Sequence, residues 1–145
     1  MKKNSGLTLI ESMFVIVILG ILGSLAIPRI DPSEGGTAYA LTRQIVADMR
    51  YARSLAITSA KPYTLKFSPS GGPYTSYAIF QEETQFGDTN PIPSSINCTA
   101  TADEYEFSYL GSANDNGTVT IAGGGSGYII NLIAATGRAF EEKIE

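Results

Sequence analysis

Lys2-Lys3-Asn4-Ser5-Gly6-Leu7-Thr8-Leu9-Ile10-Glu11 opens a run that stays apolar as far as Ile27, with Thr8, Glu11, Ser12 and Ser24 as its only polar side chains. Leu7 to Ile27 is 21 residues. As a helix that is roughly 32 Å at ~1.5 Å per residue, against a hydrocarbon core of ~30 Å. The length predicts a single membrane-spanning helix. It exceeds the ~7–15 apolar residues of a secretory signal. The far end, Ala26-Ile27-Pro28-Arg29, also lacks a small-residue cleavage pattern. The good small-residue site lies before the apolar run, at Gly6, so a cut there would leave the hydrophobic helix on the mature protein. Lys2 and Lys3 precede the span and the remainder is mildly acidic. The positive-inside bias therefore puts the N-terminus in the cytoplasm and the bulk of the chain outside.

Glu11 is the costly residue of this span. A carboxylate there is destabilising by a few kcal/mol at least unless it is paired, and no cation stands near it in its own apolar run. Its partner is expected on another protein; otherwise the side chain snorkels to the cytoplasmic interface about one turn away. With these residues in view, Lys2 to Glu11 resembles the leader of type IV pilins and type II secretion pseudopilins. The resemblance implies that a prepilin peptidase cuts between Gly6 and Leu7 and N-methylates Leu7. The family usually has phenylalanine at that position, so leucine is a departure within apolar residues. It also implies that Glu11, five residues into the mature chain, meets the new amino group of a neighbouring subunit in a filament. Such pairing would offset part of the desolvation cost and set axial register, as single buried polar groups do in coiled coils. Gly20 and Pro28 fall where pilins weaken this helix. Physically, Pro28 removes a donor and disfavours helix at Ile27, and glycine lowers helix propensity.

The chain thus divides into a leader (1–6), a transmembrane or filament-core helix (7–30), a hinge at Asp31-Pro32-Ser33-Glu34-Gly35-Gly36 (31–36), and a head (37–145) of about 109 residues, enough for its own core. Thr37 to Ser59 reads as an amphipathic helix capped by Thr37. Leu41, Ile45, Met49, Ala52 and Ala56 form its apolar stripe, and Pro62 stops it. Arg43, Arg50 and Arg53 lie on other faces, either a solvated surface or a binding patch. The period then becomes two. Tyr63, Leu65 and Phe67 alternate with Thr64 and Lys66, and Tyr74 to Gln81 returns across the Ser68-to-Pro73 turn. Glu82 to Thr101 reads as a long polar loop. Glu104 to Leu110 is a third strand with Tyr105, Phe107 and Tyr109 on one face. Asn114-Asp115-Asn116-Gly117 turns into Thr118 to Ile121, and Tyr128 to Ala134 is the most apolar strand. Thr136 to Phe140 ends the fold, with Glu141 to Glu145 as a charged tail. The expected class is α+β: an N-terminal transmembrane helix, continuous with or hinged to an amphipathic helix packed on an antiparallel β-sheet.

The order of the head also resembles the pseudopilin H (GspH) and FimT-like branch of the pilin superfamily. The matching pieces are Asp48-Met49-Arg50-Tyr51-Ala52-Arg53-Ser54-Leu55-Ala56, Thr64-Leu65-Lys66-Phe67 and Thr136-Gly137-Arg138. The resemblance implies a minor pilin or pseudopilin, a structural subunit of a type II secretion pseudopilus or a type IV pilus. Its partners would be the prepilin peptidase, other pilins and the bacterial inner membrane, crossed once with the head periplasmic or extracellular. The alternative within the branch is a FimT-like DNA-binding minor pilin for DNA uptake in natural transformation. Against it, Arg138 is followed by Ala139-Phe140-Glu141-Glu142, and losing Lys2 and Lys3 with the leader takes the net charge from −4 to −6. Nucleic-acid affinity needs clustered Lys and Arg.

The composition bears on catalysis. The chain has no histidine and one cysteine, Cys98, so imidazole acid–base work, His-ligated metals, thiolate clusters and an internal disulfide are excluded. Gly123-Gly124-Gly125-Ser126-Gly127 has no phosphate-loop lysine and leads into a strand, which makes it a hairpin connection. Glu82-Glu83 and Asp103-Glu104-Glu106 offer carboxylates for calcium, but not at EF-hand spacing; solvated charge is the simpler reading. No cofactor, metal or catalytic residue is expected.

Overall fold

The computed structural model describes residues 9–25 and 34–144. Two compact units, 1–31 and 32–145, divide the chain. The first contains helix α1, Leu9–Leu25. The second begins with α2, Glu34–Ser59. This helix starts three residues before the expected Thr37, so Glu34, Gly35 and Gly36 belong to it and Thr37 is not its cap. The low helix propensity of the two glycines is overridden by the apolar stripe further along the helix. Ala38, Leu41, Ile45, Met49, Ala52 and Ala56 are all buried, and packing of such a stripe outweighs about 1 kcal/mol per glycine. At the other end Ala60 takes a left-handed turn (φ 54°), after which Lys61-Pro62 cannot continue the helix.

Eight strands come after it: β1 Tyr63–Ser68, β2 Ser76–Gln81, β3 Thr84–Pro91, β4 Asn97–Ala100, β5 Glu104–Phe107, β6 Gly117–Gly123, β7 Ser126–Ile133 and β8 Arg138–Ile144. They form two antiparallel sheets rather than one, ordered β3-β2-β1-β5 and β4-β6-β7-β8. One hydrophobic core joins the α2 stripe to Leu65, Phe67, Tyr105 and Phe107 of the first sheet and Val119, Ile121, Ile130 and Leu132 of the second.

Three segments depart from expectation. The polar stretch 82–101 is not a loop: it supplies edge strands β3 and β4. In β3, Asn90 pairs with Tyr77 and Phe86 with Ile79, so Gly87, Asp88 and Thr89 bulge opposite Ala78. The Gln85 amide nitrogen holds the bulge by donating to the Gly87 carbonyl (3.0 Å) and Thr89 Oγ1 (3.1 Å). The expected C-terminal tail is β8, paired with β7 from Arg138 to Ile144. The third strand stops at Phe107; Tyr105 and Phe107 are buried, whereas Tyr109 lies beyond it and is exposed.

Candidate assembly interface

Of the residues expected to process and assemble the chain, Gly6, Leu7 and Pro28 lie outside the described residues. Glu11 and Gly20 fall within α1. Around Glu11, which is exposed, Leu9, Ile10, Met13, Phe14 and Ile16 are all more than half exposed. A helix this apolar on every face needs lipid or other helices around it. Among the described residues no helix is long and apolar enough to cross a membrane, α1 being described over 17 residues.

The α2 arginines do more than cover a solvated face. Arg53 Nε donates to the Gly111 carbonyl at 2.9 Å, Arg50 Nη2 to the Ala139 carbonyl at 3.1 Å, and Arg43 pairs with Glu141 at 3.4 Å and donates to the Tyr39 hydroxyl at 3.2 Å. They tie the helix to β8 and to the loop after β5. That loop is itself closed by Ser108 N to Ser112 O (2.8 Å) and Gly111 N to Ser108 O (2.9 Å). Gly137, at φ 58°, stacks directly on the Gly111 carbonyl, with Arg53 Cδ 3.2 Å from where its Cβ would be. The Ala52-Arg53 pair and the Thr136-Gly137-Arg138 turn, far apart in sequence, thus meet in one place.

Asp103 is engaged by three protein donors. It accepts hydrogen bonds from the Ser70 hydroxyl, from Gly71 N (2.9 Å) and from the Tyr74 hydroxyl (2.7 Å). This latches the β1–β2 turn onto the segment before β5. These donors hold the Asp103 carboxyl below its ordinary value, Ser70 contributing most, while burial and the Asp103 contact push the Tyr74 phenol up to about 12. A depressed carboxyl stabilises the fold above its unfolded value, and that contribution disappears as pH falls through the folded value. Asp103→Asn is therefore expected to flatten the acid limb of stability. In thermal melts between about pH 2 and 5, wild type should lose more of its Tm than the variant; parallel curves would remove Asp103 from this role. Glu104 pairs with Lys66 at 3.2 Å. Among the described residues no three His, Cys, Asp or Glu side chains are placed to hold a metal ion. The Asp103 latch had no sequence signal, because its partners lie about thirty residues away in a turn of ordinary composition.

Cys98 is buried in β4, and burial pushes its thiol up to about 11. With thiolate so scarce near neutrality, a maleimide at pH 7 should label it only as fast as the head unfolds. The expected result is labelling that rises with urea along the circular-dichroism transition; fast labelling in native buffer would contradict it.

Set beside known proteins, residues 1–27 match the prokaryotic N-terminal methylation motif, and residues 41–137 match the type II transport protein GspH family. Among solved structures, the type IV minor pilin FimU of Pseudomonas aeruginosa PAO1 superposes with a TM-score of 0.60 at 14% identity, covering 73% of this chain and 88% of that one. The minor pseudopilin EpsH from the type 2 secretion system of Vibrio cholerae gives 0.57 at 8% identity, over 74% and 95%. At these identities the likeness is one of fold: a long helix on antiparallel strands. The matched segment runs from Leu41 on α2 to Gly137, and so takes in the Arg53–Gly111–Gly137 junction. With a methylation motif at its front and that head behind it, the chain belongs to the GspH family of type II transport proteins.

Proposed function

We propose that this protein is a membrane-anchored minor subunit of a type II secretion pseudopilus or type IV pilus. It is cut between Gly6 and Leu7 by a prepilin peptidase and methylated on Leu7. The observation that carries the reading is the joining, in one chain, of the methylation motif at 1–27 to the GspH head at 41–137. Before assembly the apolar run 7–27 holds the chain in the inner membrane, N-terminus in the cytoplasm and head outside. On assembly the anchor moves from lipid into a filament core. Glu11, five residues into the mature chain, then pairs with a neighbour's methylated amino terminus, while Gly20 and Pro28 let the helix adapt. After processing no step is chemical; the head supplies surface and the anchor supplies cohesion.

Intact mass of the chain from membranes, with and without its prepilin peptidase, tests this. Loss of Met1 to Gly6 together with one added methyl group is the expected result. An uncut chain, or a cut after Ile27, would overturn the filament reading.

A further inference from the structure

The solvent-facing side of α2 separates charge across its width. Ala40, Ala47 and Ser54 run along its middle and are exposed. On the flank toward β8 stand Arg43, its side chain 60% exposed, and Arg50, two turns apart. Each uses part of its guanidinium within the head, Arg43 on Glu141 and Tyr39 and Arg50 on the Ala139 carbonyl; five N–H donors leave others facing outward. On the opposite flank α2 and β3 enclose a groove of about 240 Å³ lined by Asp48, Tyr51, Ile79, Phe86, Asp88 and Asn90. Tyr51 is 50% and Phe86 39% exposed, and Asp48 has one oxygen engaged by the Tyr77 hydroxyl at 2.7 Å. No lysine or arginine lines this groove. Two carboxylates beside two exposed aromatic rings make a receptor for a guanidinium, which can pair with the acids and stack on the rings.

Orientation selects the occupant. When helices lie side by side in parallel, the opposite flanks of the two helices meet; when antiparallel, like flanks meet, which here would oppose arginine to arginine. Heads carried on anchors in one membrane are parallel, a point that rests on the proposed function. We propose that the groove between α2 and β3 receives Arg50, with Arg43 beside it, from the head of a second copy of this chain. Each head has one donor flank and one acceptor groove, so two parallel copies meet arginine flank to groove.

The test uses two differently tagged full-length chains co-expressed in membranes, one carrying Ser54→Cys beside the arginine flank and the other Thr89→Cys on the groove rim. A mixed-tag disulfide is expected on mild oxidation. Arg50→Glu in the first chain, or Asp88→Arg in the second, should each lower its yield about tenfold, and combining the two reversals should restore it. A yield no higher than for a control Asp115→Cys chain, or one indifferent to both reversals, would overturn the contact. Intact mass of the same samples separates the two ideas. A cut and methylated chain that does not cross-link sinks only this interface, whereas an uncut chain sinks the filament reading.

Discussion

Gly137→Ala is expected to lower the stability of the head by about 3 kcal/mol, a fall of about 10 °C in Tm for a domain of this size. Two costs add. Residue 137 sits at φ 58°, where a side chain costs roughly 1–2 kcal/mol. The added Cβ would also overlap the Gly111 carbonyl oxygen. That oxygen cannot retreat freely, because it accepts from Arg53 Nε at 2.9 Å and belongs to a loop closed by its own hydrogen bonds. Overpacking of this kind costs a further 1–3 kcal/mol or so. Gly125→Ala supplies the control: its φ is 75°, but nothing lies within 4 Å of the new Cβ, so only the backbone cost of roughly 1–2 kcal/mol applies. Circular-dichroism melts of the full chain in detergent would compare them. Equal losses at the two positions would mean that the Gly111 contact is not rigid.

Glu11→Ala is expected to leave cleavage and methylation intact while cutting incorporation into filaments about a hundredfold or more. Removing one member of a buried charge pair strands the other, at about 3–5 kcal/mol, and each ~1.4 kcal/mol is tenfold in an equilibrium. Here the stranded group would be a neighbour's amino terminus. The ratio of subunit in sheared filaments to subunit in membranes measures the effect, with intact mass confirming processing. Unchanged incorporation would show that Glu11 remains at the lipid interface and takes no part in assembly.

How much of the fold could be read from the chain alone depended on burial. The α2 stripe Leu41, Ile45, Met49, Ala52 and Ala56 declared itself because every member faces the core, and β1 did so through Tyr63, Leu65 and Phe67. The edge strands stayed hidden. β3 is exposed almost throughout and interrupted by its bulge, so no period-two pattern was available to mark it. β8 carries Arg138, Glu141, Glu142 and Lys143, the composition of a tail, yet it is held by the ladder to β7. The candidate site divides in the same way. The N-terminal methylation motif is a linear signal, legible because its residues are consecutive. The Arg53–Gly111–Gly137 junction and the Asp103 latch are three-dimensional, built from residues about thirty to eighty positions apart whose types are ordinary when taken singly.

The free edges of the two sheets bear on what happens to subunits that are made but not yet used. One edge carries four charged side chains along β8, and another is broken by the Gly87–Thr89 bulge. Neither offers a neighbouring chain the flat, uncharged row of amides and carbonyls from which cross-β aggregates grow. Subunits waiting side by side in a membrane, as the proposed function has it, are thereby kept from pairing edge to edge along β3 and β8.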